Sequence, residues 1–174
     1  LTIEPGVELR FRTGLALTVG STTFGPGTLV CRGTAQNRVL MTSNDPYEQP
    51  QGTADPGDWA RVDFSDFAED AEFASDGTYL AGSILEYTTI EYAGRAAGQV
   101  GAVVIRNSGP YLTSCRIQHS AGPGIDGYTG SGQFSPLRLV GNEVGDAERG
   151  IDIGNRPGTL IAGNHVFGCN FVGI

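Results

Sequence analysis

A short pattern of apolar and polar positions recurs through the second half of the chain. An aliphatic residue is followed three positions later by a small polar residue or Cys, and two positions after that by a second aliphatic residue. The first aliphatic positions are Leu85, Leu112, Leu139 and Ile161, which gives steps of 27, 27 and 22 residues. The second aliphatic positions are Ile90, Ile117, Val144 and Val166. Self-similarity at this period, with one short strand pattern per face, is typical of a solenoid.

This repeat predicts an all-β fold, a right-handed parallel β-helix with coils of about 22–27 residues and loop insertions. The right hand is expected because crossovers between parallel strands are almost always right-handed. Each aliphatic series should form one inward column of stacked side chains. A polar line should run between the two columns, formed by Thr88, Cys115, Asn142 and Asn164. Aligned asparagines can hydrogen-bond along a stack, so we interpret this line as structural.

Two polar segments interrupt the strand patterns of the first half. Residues 44–58 are rich in Pro and Gly, and residues 65–80 are acidic. We expect both to leave the coil, the second as a loop or a short helix, within one domain that spans residues 1–174. Long loops on a repeat scaffold commonly carry function. The chain starts and stops within strand patterns, at Leu1 to Ile3 and at Ile174. We therefore expect a processed unit, a portion of a longer chain, or a piece whose ends are covered by something else.

Composition narrows the range of partners. The 174 residues include 27 Gly and 11 Arg, contain no Lys, and carry a formal charge of -8. Such a surface should repel phosphates, so we expect no nucleic-acid partner. No apolar run reaches the roughly 20 residues of a membrane span. Cys31, Cys115 and Cys169 have no metal-site spacing, and we expect three small buried thiols with no disulfide between Cys115 and Cys169.

Several short motifs resemble one known group of proteins. They are Glu4-Pro5-Gly6-Val7, Gly27-Thr28-Leu29, Arg32-Gly33-Thr34, Val39-Leu40-Met41-Thr42-Ser43 and Pro56-Gly57-Asp58-Trp59. Together with the later Gly-Ile-Asp and Gly-Asn steps, they look like the bacterial right-handed parallel β-helix proteins of the pectin-lyase-like superfamily. The resemblance covers nearly the whole chain and implies the fold. That superfamily includes polysaccharide lyases, hydrolases, tailspikes and surface or adhesion proteins, so fold alone does not choose a function.

The enzyme motifs of that superfamily are largely missing. The polygalacturonase pattern of Asn-Thr-Asp, paired Asp, Gly-His-Gly and Arg-Ile-Lys does not occur. The segment Asn44-Asp45-Pro46-Tyr47-Glu48 has Tyr where the epimerase motif has His. We therefore expect a structural or adhesive module that is extracellular or on the cell surface. It should form fibres or be displayed on a surface. Its partners should be neighbouring coils, or identical units joined end to end. The alternative is a polysaccharide lyase, a glycoside hydrolase or a sugar-binding protein whose partner is a polysaccharide.

One group of polar residues could carry chemistry. Asp126 and Asp152 each follow a Gly-Ile pair and should be stacked neighbours, and His119 should stack with Asp146 in the same way. Tyr128 lies two residues after Asp126, and Arg149 lies three residues before Asp152. Paired carboxylates beside Arg and His could do acid–base work on a sugar, or Asp126, Asp146 and Asp152 could bind calcium. The other interpretation is a set of solvated turns in which Asp suits the backbone, with no cofactor. His165 has no acidic partner in its register, and we expect it on the surface.

Overall fold

The fold consists of three parallel sheets and one short hairpin. The structure is a computed structural model that describes residues 1–45, 52–95, 100–127, 134–154 and 156–171. Nineteen strands lie within these ranges, numbered β1 to β19 in chain order. The described residues also contain no helix that is long and apolar enough to cross a membrane.

Each parallel sheet has a regular strand order from one edge to the other. Sheet A contains β1 (Thr2–Ile3), β4 (Val30–Arg32), β9 (Ile84–Glu86), β12 (Tyr111–Thr113), β15 (Arg138–Val140) and β18 (Leu160–Ala162). Sheet B contains β2 (Glu8–Phe11), β5 (Val39–Ser43), β10 (Thr88–Glu91), β13 (Arg116–Gln118), β16 (Glu143–Gly145) and β19 (His165–Phe167). Sheet C contains β3 (Ala16–Val19), β6 (Arg61–Phe64), β11 (Val103–Ile105), β14 (Ile125–Gly127) and β17 (Ile151–Ile153). The hairpin contains β7 (Glu72–Phe73) and β8 (Tyr79–Ala81).

Apart from the hairpin, the chain visits sheets A, B and C in turn and then starts again. Every strand of one pass pairs in parallel with the corresponding strand of the next pass. Parallel neighbours need a crossover between them, and in this chain the crossover is the rest of the pass. The arrangement is therefore consistent with a parallel β-helix, in which one pass is one coil.

The register confirms the two predicted aliphatic columns. In sheet A, Leu85, Leu112, Leu139 and Ile161 are consecutive Cα partners. In sheet B, Ile90, Ile117, Val144 and Val166 are consecutive Cα partners. Their central members are buried in one continuous core, which also includes Trp59 and Phe64. Strand side chains alternate between faces, so this register turns one set of aliphatic residues inward in every coil.

The predicted polar line is also confirmed as a structural feature. Asn142 is fully buried, and its Nδ2 donates to Asn164 Oδ1 at 2.8 Å and to the Leu112 carbonyl at 3.0 Å. Its Oδ1 accepts the backbone N–H of Cys115 at 2.9 Å. Asn164 repeats this pattern one coil further on, because its Nδ2 donates to the Leu139 carbonyl at 2.7 Å. The amides therefore satisfy backbone groups at the corner between sheets A and B, where the ladder hydrogen bonds end.

The acidic excursion at residues 65–80 forms the β7–β8 hairpin, and the short-helix alternative is wrong. Asp76 and Gly77 suit the turn between β7 and β8. The Asp76 carboxylate accepts a hydrogen bond from the Thr78 N–H at 2.9 Å, and Gly77 has a φ of 88°. Phe73 on the hairpin packs edge-on against Tyr111 at 5.2 Å between centroids. Aromatic packing on sheet A thus favours strands over a helix in this segment. Of the other excursion, residues 46–51 lie outside the described residues, and residues 52–58 form no strand.

A buried arginine holds the loops that follow sheet C. Arg156 is 5% exposed, and its hydrogen bonds to the described residues all go to backbone carbonyls. Its Nη2 reaches Ile105 at 2.9 Å and its Nη1 reaches Ser108 at 2.9 Å. Burial lowers the pKa of this guanidinium, and the nearby Asp70 carboxylate opposes the shift. The Arg156 guanidinium therefore links the loops of successive coils through these hydrogen bonds.

The cysteines match the expectation in part. All three are free thiols, so Cys115 and Cys169 form no disulfide. Cys31 and Cys115 are buried, whereas Cys169 is only half-buried, which corrects the expectation of three buried thiols. Cys169 follows β19, the last strand of sheet B, so no described strand covers it on one side.

Candidate functional site

The outer face of sheet C carries a line of three aspartates and one valine. Asp63, Val104, Asp126 and Asp152 are consecutive Cα partners across four strands. Their neighbours Val62, Val103, Ile125 and Ile151 are buried in the core. Because side chains alternate along a strand, the aspartates face outward. We use the name sheet C stripe for these three aspartates together with the arginines that pair with them, which are Arg61, Arg106 and Arg149.

Asp126 and Asp152 are direct partners in the parallel register of β14 and β17. Neighbouring strands are about 4.8 Å apart, so the two carboxylates start from adjacent positions. Asp152 forms an ion pair with Arg149, with 2.5 Å between Oδ2 and Nη1. This hydrogen bond raises the pKa of the Arg149 guanidinium. Three of the predicted residues thus lie on or beside one strip of sheet C.

Asp63 is the buried member of the stripe, and its role was not predicted from the sequence. Its side chain is 5% exposed and accepts hydrogen bonds from two arginines. Arg61 Nε lies 2.9 Å from Oδ2, and Arg106 binds both carboxylate oxygens at 3.0 and 3.1 Å. The hydrogen bond to Asp63 is the main reason that the pKa of Arg106 is raised. The Arg-Val-Asp alternation of β6 was the available signal, since it puts Arg61 and Asp63 on one face.

His119 and Asp146 lie elsewhere, at the corner between sheets B and C. Tyr92, His119, Asp146 and Gly168 occupy the same turn position in successive coils, with φ of 62°, 54°, 48° and 60°. The Tyr92 and His119 rings stack at 5.2 Å, and His119 Nδ1 lies 3.7 Å from Asp146 Oδ2. The candidate residues therefore fall into two groups, the sheet C stripe and this corner column.

Beside the corner column is a cavity of about 580 Å³, which we call the corner cavity. Its lining includes Ser120, Asp146, Glu148, Gly168, Asn170 and Phe171. Backbone hydrogen bonds fix this wall: Ser120 N donates to the Asp146 carbonyl at 3.1 Å, and Phe171 N donates to the Glu148 carbonyl at 3.0 Å. Asp146 is exposed, and the Phe171 side chain is 62% exposed.

A second cavity of about 540 Å³ lies where the acidic excursion meets the turns after sheet C. Its lining includes Asp66, Glu69, Asp70, Glu72, Asn107 and Ser135. Asp70 accepts a hydrogen bond from the Gly109 N–H at 2.6 Å and another from the Ser135 hydroxyl. Glu69 accepts a hydrogen bond from the Thr28 hydroxyl. Two of these carboxylates therefore tie the excursion to the coils.

The calcium site expected from the sequence is not matched by a cluster of metal-ligating side chains in the described residues. Across the described parts of the chain, no group of three or more His, Cys, Asp and Glu side chains is arranged to hold a metal ion. Asp152 already pairs with Arg149, and Asp146 belongs to the other group. A calcium ion bound by Asp126, Asp146 and Asp152 stays a prediction. Tyr128 lies outside the described residues, and His165 is exposed, stacked on Phe167 at 5.1 Å.

The chain was also compared with known proteins. No family model, no curated protein and no solved structure matches it.

Proposed function

We propose that this chain is an extracellular or surface-displayed structural module, built as a right-handed parallel β-helix whose coils continue into neighbouring coils. The observation that carries the proposal is the state of the core at the two ends of the stack. Central column members such as Leu112 and Ile117 are 0% exposed. Ile3, Val19 and Ile151 on the end strands stay buried, but several other outermost members are only partly buried, and these are Leu9, Phe11, Leu17, Ile153, Ile161 and Val166. Partly exposed core columns at both ends favour a structure that stacks.

The strand edges support the same proposal. Within the described residues, β1, β2 and β3 each pair with one strand only, as do β18, β19 and β17 at the other end. Open parallel edges present unpaired N–H and C=O groups that can accept another strand. Both ends carry strands of the same three sheets with the same direction. Further coils of a longer chain, or identical units joined head to tail, would continue all three sheets, and head-to-tail contacts that do not close form filaments.

The test is the mass of the isolated 174-residue chain over a wide range of concentrations, followed by electron microscopy. We expect the mass to rise with concentration and short fibres to form. Leu15 is 54% exposed and directly precedes β3 at the edge of sheet C, two residues before the partly buried Leu17, so Leu15→Lys should block assembly. Leu80→Lys is the matched control, because Leu80 is 60% exposed on the hairpin. A monomer that dilution does not alter would contradict end-to-end assembly.

A second candidate function is supported by the sheet C stripe. Adjacent outward carboxylates beside arginines suit a carbohydrate-active protein, with Asp126 and Asp152 as the acid–base pair and Arg149 and Arg106 binding sugar oxygens. The experiment is a panel of uronate and neutral polysaccharides, assayed for reducing ends and for the ultraviolet absorbance of unsaturated products. Activity that is lost in Asp126→Asn and Asp152→Asn, and retained in Asp66→Asn, would support this candidate. No activity across the panel would leave the structural role.

A further inference from the structure

The outer face of sheet B carries a row of polar side chains that runs from coil to coil. Arg116, Glu143 and His165 are consecutive Cα partners in β13, β16 and β19. Arg116 Nε lies 2.8 Å from Glu143 Oε2, so an ion pair between opposite charges already joins two coils in this row. His165 is the last described member, and it is exposed. Because histidine is a cation when protonated, a carboxylate in the next position would continue the alternation of charge.

The other end of the same row supplies such a carboxylate. Glu8 in β2 is the first member of the row, which reaches Arg116 through the Cα partners in β5 and β10. Glu8 forms an ion pair with Arg10 on its own strand, and its side chain is still 41% exposed. If the last strand of one copy lay beside the first strand of another, His165 would lie beside Glu8. The two ends of the row are therefore complementary in charge.

The neighbouring row of sheet B gives a second match. It begins with Arg10 in β2 and ends with Phe167 in β19, which is the Cα partner of Gly145. Phe167 is 38% exposed and stacks on His165 at 5.1 Å between ring centroids. A guanidinium over a ring face is attracted by the ring electrons. Continuing the row from one copy into the next would place Arg10 beside Phe167.

Sheet A supports the same register through the core. Ile3 in β1 begins the inward column that Ile161 ends in β18. Ile161 is only partly buried, and β1 of another copy placed on β18 would cover it with Ile3. A slip of one residue would turn the apolar side chains outward. A slip of two residues in sheet B would bring His165 beside either Gly6 or Arg10, so it would lose the contact with Glu8.

We propose that the partner at this end is a second copy of the chain, with β18 paired to β1 and β19 paired to β2. The register sets His165 beside the next copy's Glu8 and Phe167 beside its Arg10. This inference rests on the proposed end-to-end assembly, and it adds the identity of the partner and the register of the contact. Each end matches the opposite end, which makes the contact heterologous, and such a contact repeats from copy to copy.

Disulfide trapping tests the register in a Cys169→Ser background, in which the two remaining thiols are buried. Leu160 and Thr2 are exposed, and they become Cα partners in the proposed register. Adjacent strands are about 4.8 Å apart, which suits a disulfide, whereas a shift of two residues separates the Cα atoms by about 8 Å. Under mild oxidation, mixed Leu160→Cys and Thr2→Cys copies should link at least about tenfold faster than Leu160→Cys mixed with Glu4→Cys.

Side-chain variants test the contacts, with the dissociation constant obtained from mass against concentration. Glu8→Gln and Phe167→Ala should each raise this constant by about two- to fivefold, as expected for an exposed ion pair or cation–π contact. His165→Arg should lower it, because a guanidinium keeps its charge. Glu4→Gln is the matched control, since Glu4 is an exposed carboxylate at the same end and would lie beside Ala162. Unchanged unfolding midpoints in dilute solution would show that the variants fold.

The outcomes separate a wrong register from a failure to assemble. The inference would be overturned, with assembly itself intact, if the shifted pair linked as fast as the registered pair. Preferential linking of Leu160→Cys copies to one another would overturn it as well, and so would equal losses in Glu8→Gln and Glu4→Gln. A chain that stays monomeric at every concentration would overturn both this inference and end-to-end assembly.

Discussion

At the level of single residues, Asn142 shows how a buried polar group becomes structural. It is 0% exposed, and both its amide nitrogen and its amide oxygen have partners. Its side-chain bonds reach two backbone groups of the preceding coil and the next amide of the line. A buried polar group that keeps all its partners costs little, whereas its removal leaves those partners unsatisfied.

The first prediction compares two members of this line. Asn142→Ala should lower the free energy of unfolding by about 2–4 kcal/mol, because the buried Cys115 N–H and Leu112 carbonyl lose their partner. Asn164→Ala should cost less, since Asn164 is half-buried in the outer coil and water can replace its bonds. Urea unfolding of both variants measures the difference. Equal losses would mean that the contribution of each asparagine to the free energy of unfolding does not depend on how deeply it is buried.

The second prediction concerns the buried thiols. Burial raises the pKa of Cys31 to about 11 and that of Cys115 to about 12, from an ordinary value of 9.0. The thiolate is the reactive form, so neither thiol should react with a disulfide reagent in the folded protein near neutral pH. Cys169, which is half-buried, should react first. Mass spectrometry of labelled peptides gives the order, and early labelling of Cys115 would contradict the buried site.

The same shifts fix a pH dependence. Above pH 9.0 the unfolded thiols lose protons that the folded thiols keep until about pH 11 or 12. The stability contributed by keeping these thiols protonated is therefore complete below pH 9.0 and is lost as pH rises toward those values. Cys31→Ala with Cys115→Ala should flatten this alkaline fall, whereas Cys169→Ala should flatten it less. Urea midpoints between pH 8 and 11 provide the measurement.

Single residues also show where sequence-based prediction stops. Tyr87, Tyr92, Ser114, His119 and Asp146 have φ between 45° and 62°, although such residues rarely adopt the left-handed region. The residue types at these five positions do not by themselves predict a positive φ. The signal lay in the register, because Gly141, Gly163 and Gly168 occupy the corresponding positions in later coils. Comparing coils position by position would have located both corners, and with them the corner column.

At the level of elements, the strands were predictable and the hairpin was not. Inward columns follow from the alternation of apolar and polar positions and from the regular spacing between coils. The positions of aliphatic residues such as Leu112 and Ile117 are therefore enough to predict sheets A and B. The hairpin depends on contacts that no local pattern contains. Phe73 and Tyr79 pack on Tyr111, which belongs to the next coil, and Arg138 lies 3.7 Å from the Phe73 ring centroid. The position of Asp63 between two arginines likewise requires the pairing of β6 with β11.

The third prediction tests how the hairpin is attached, using two glycines with the same φ of 88°, Gly77 and Gly82. A Cβ at Gly82 would overlap the Asp70 carbonyl oxygen, whereas a Cβ at Gly77 would meet nothing closer than Arg138 Nη1 at 3.6 Å. Gly77→Ala should cost only the left-handed backbone strain of about 1–2 kcal/mol. Gly82→Ala should cost clearly more and detach the excursion.

Thermal unfolding gives both costs, and limited proteolysis between residues 65 and 80 reports detachment. The shared φ makes Gly77→Ala the control for backbone strain alone. Equal melting temperatures for the two variants would show that the hairpin does not rest on the backbone of Asp70.

At the level of the whole molecule, the coils form a nearly one-dimensional stack. In such a stack each coil contacts its neighbours, and stability is approximately the sum of coil and interface terms. Central coils have a neighbour on both sides, whereas the described end strands have one. Arg156 and the asparagine line add bonds between coils rather than within them. Opening should therefore begin at the ends of the stack.

The last prediction follows from this gradient and is measured by hydrogen exchange. Amides of β12 and β13 should exchange slowest, near the rate set by global unfolding, because Leu112 and Ile117 are 0% exposed. Amides of β3 and β18 should exchange faster, since Leu17 and Ile161 are only partly buried. If identical units stack end to end, raising the protein concentration should slow exchange in β3 and β18 and leave β12 unchanged, and Leu15→Lys should abolish that slowing. Uniform protection at all concentrations would mean that the coils unfold as one unit and that the ends remain uncovered.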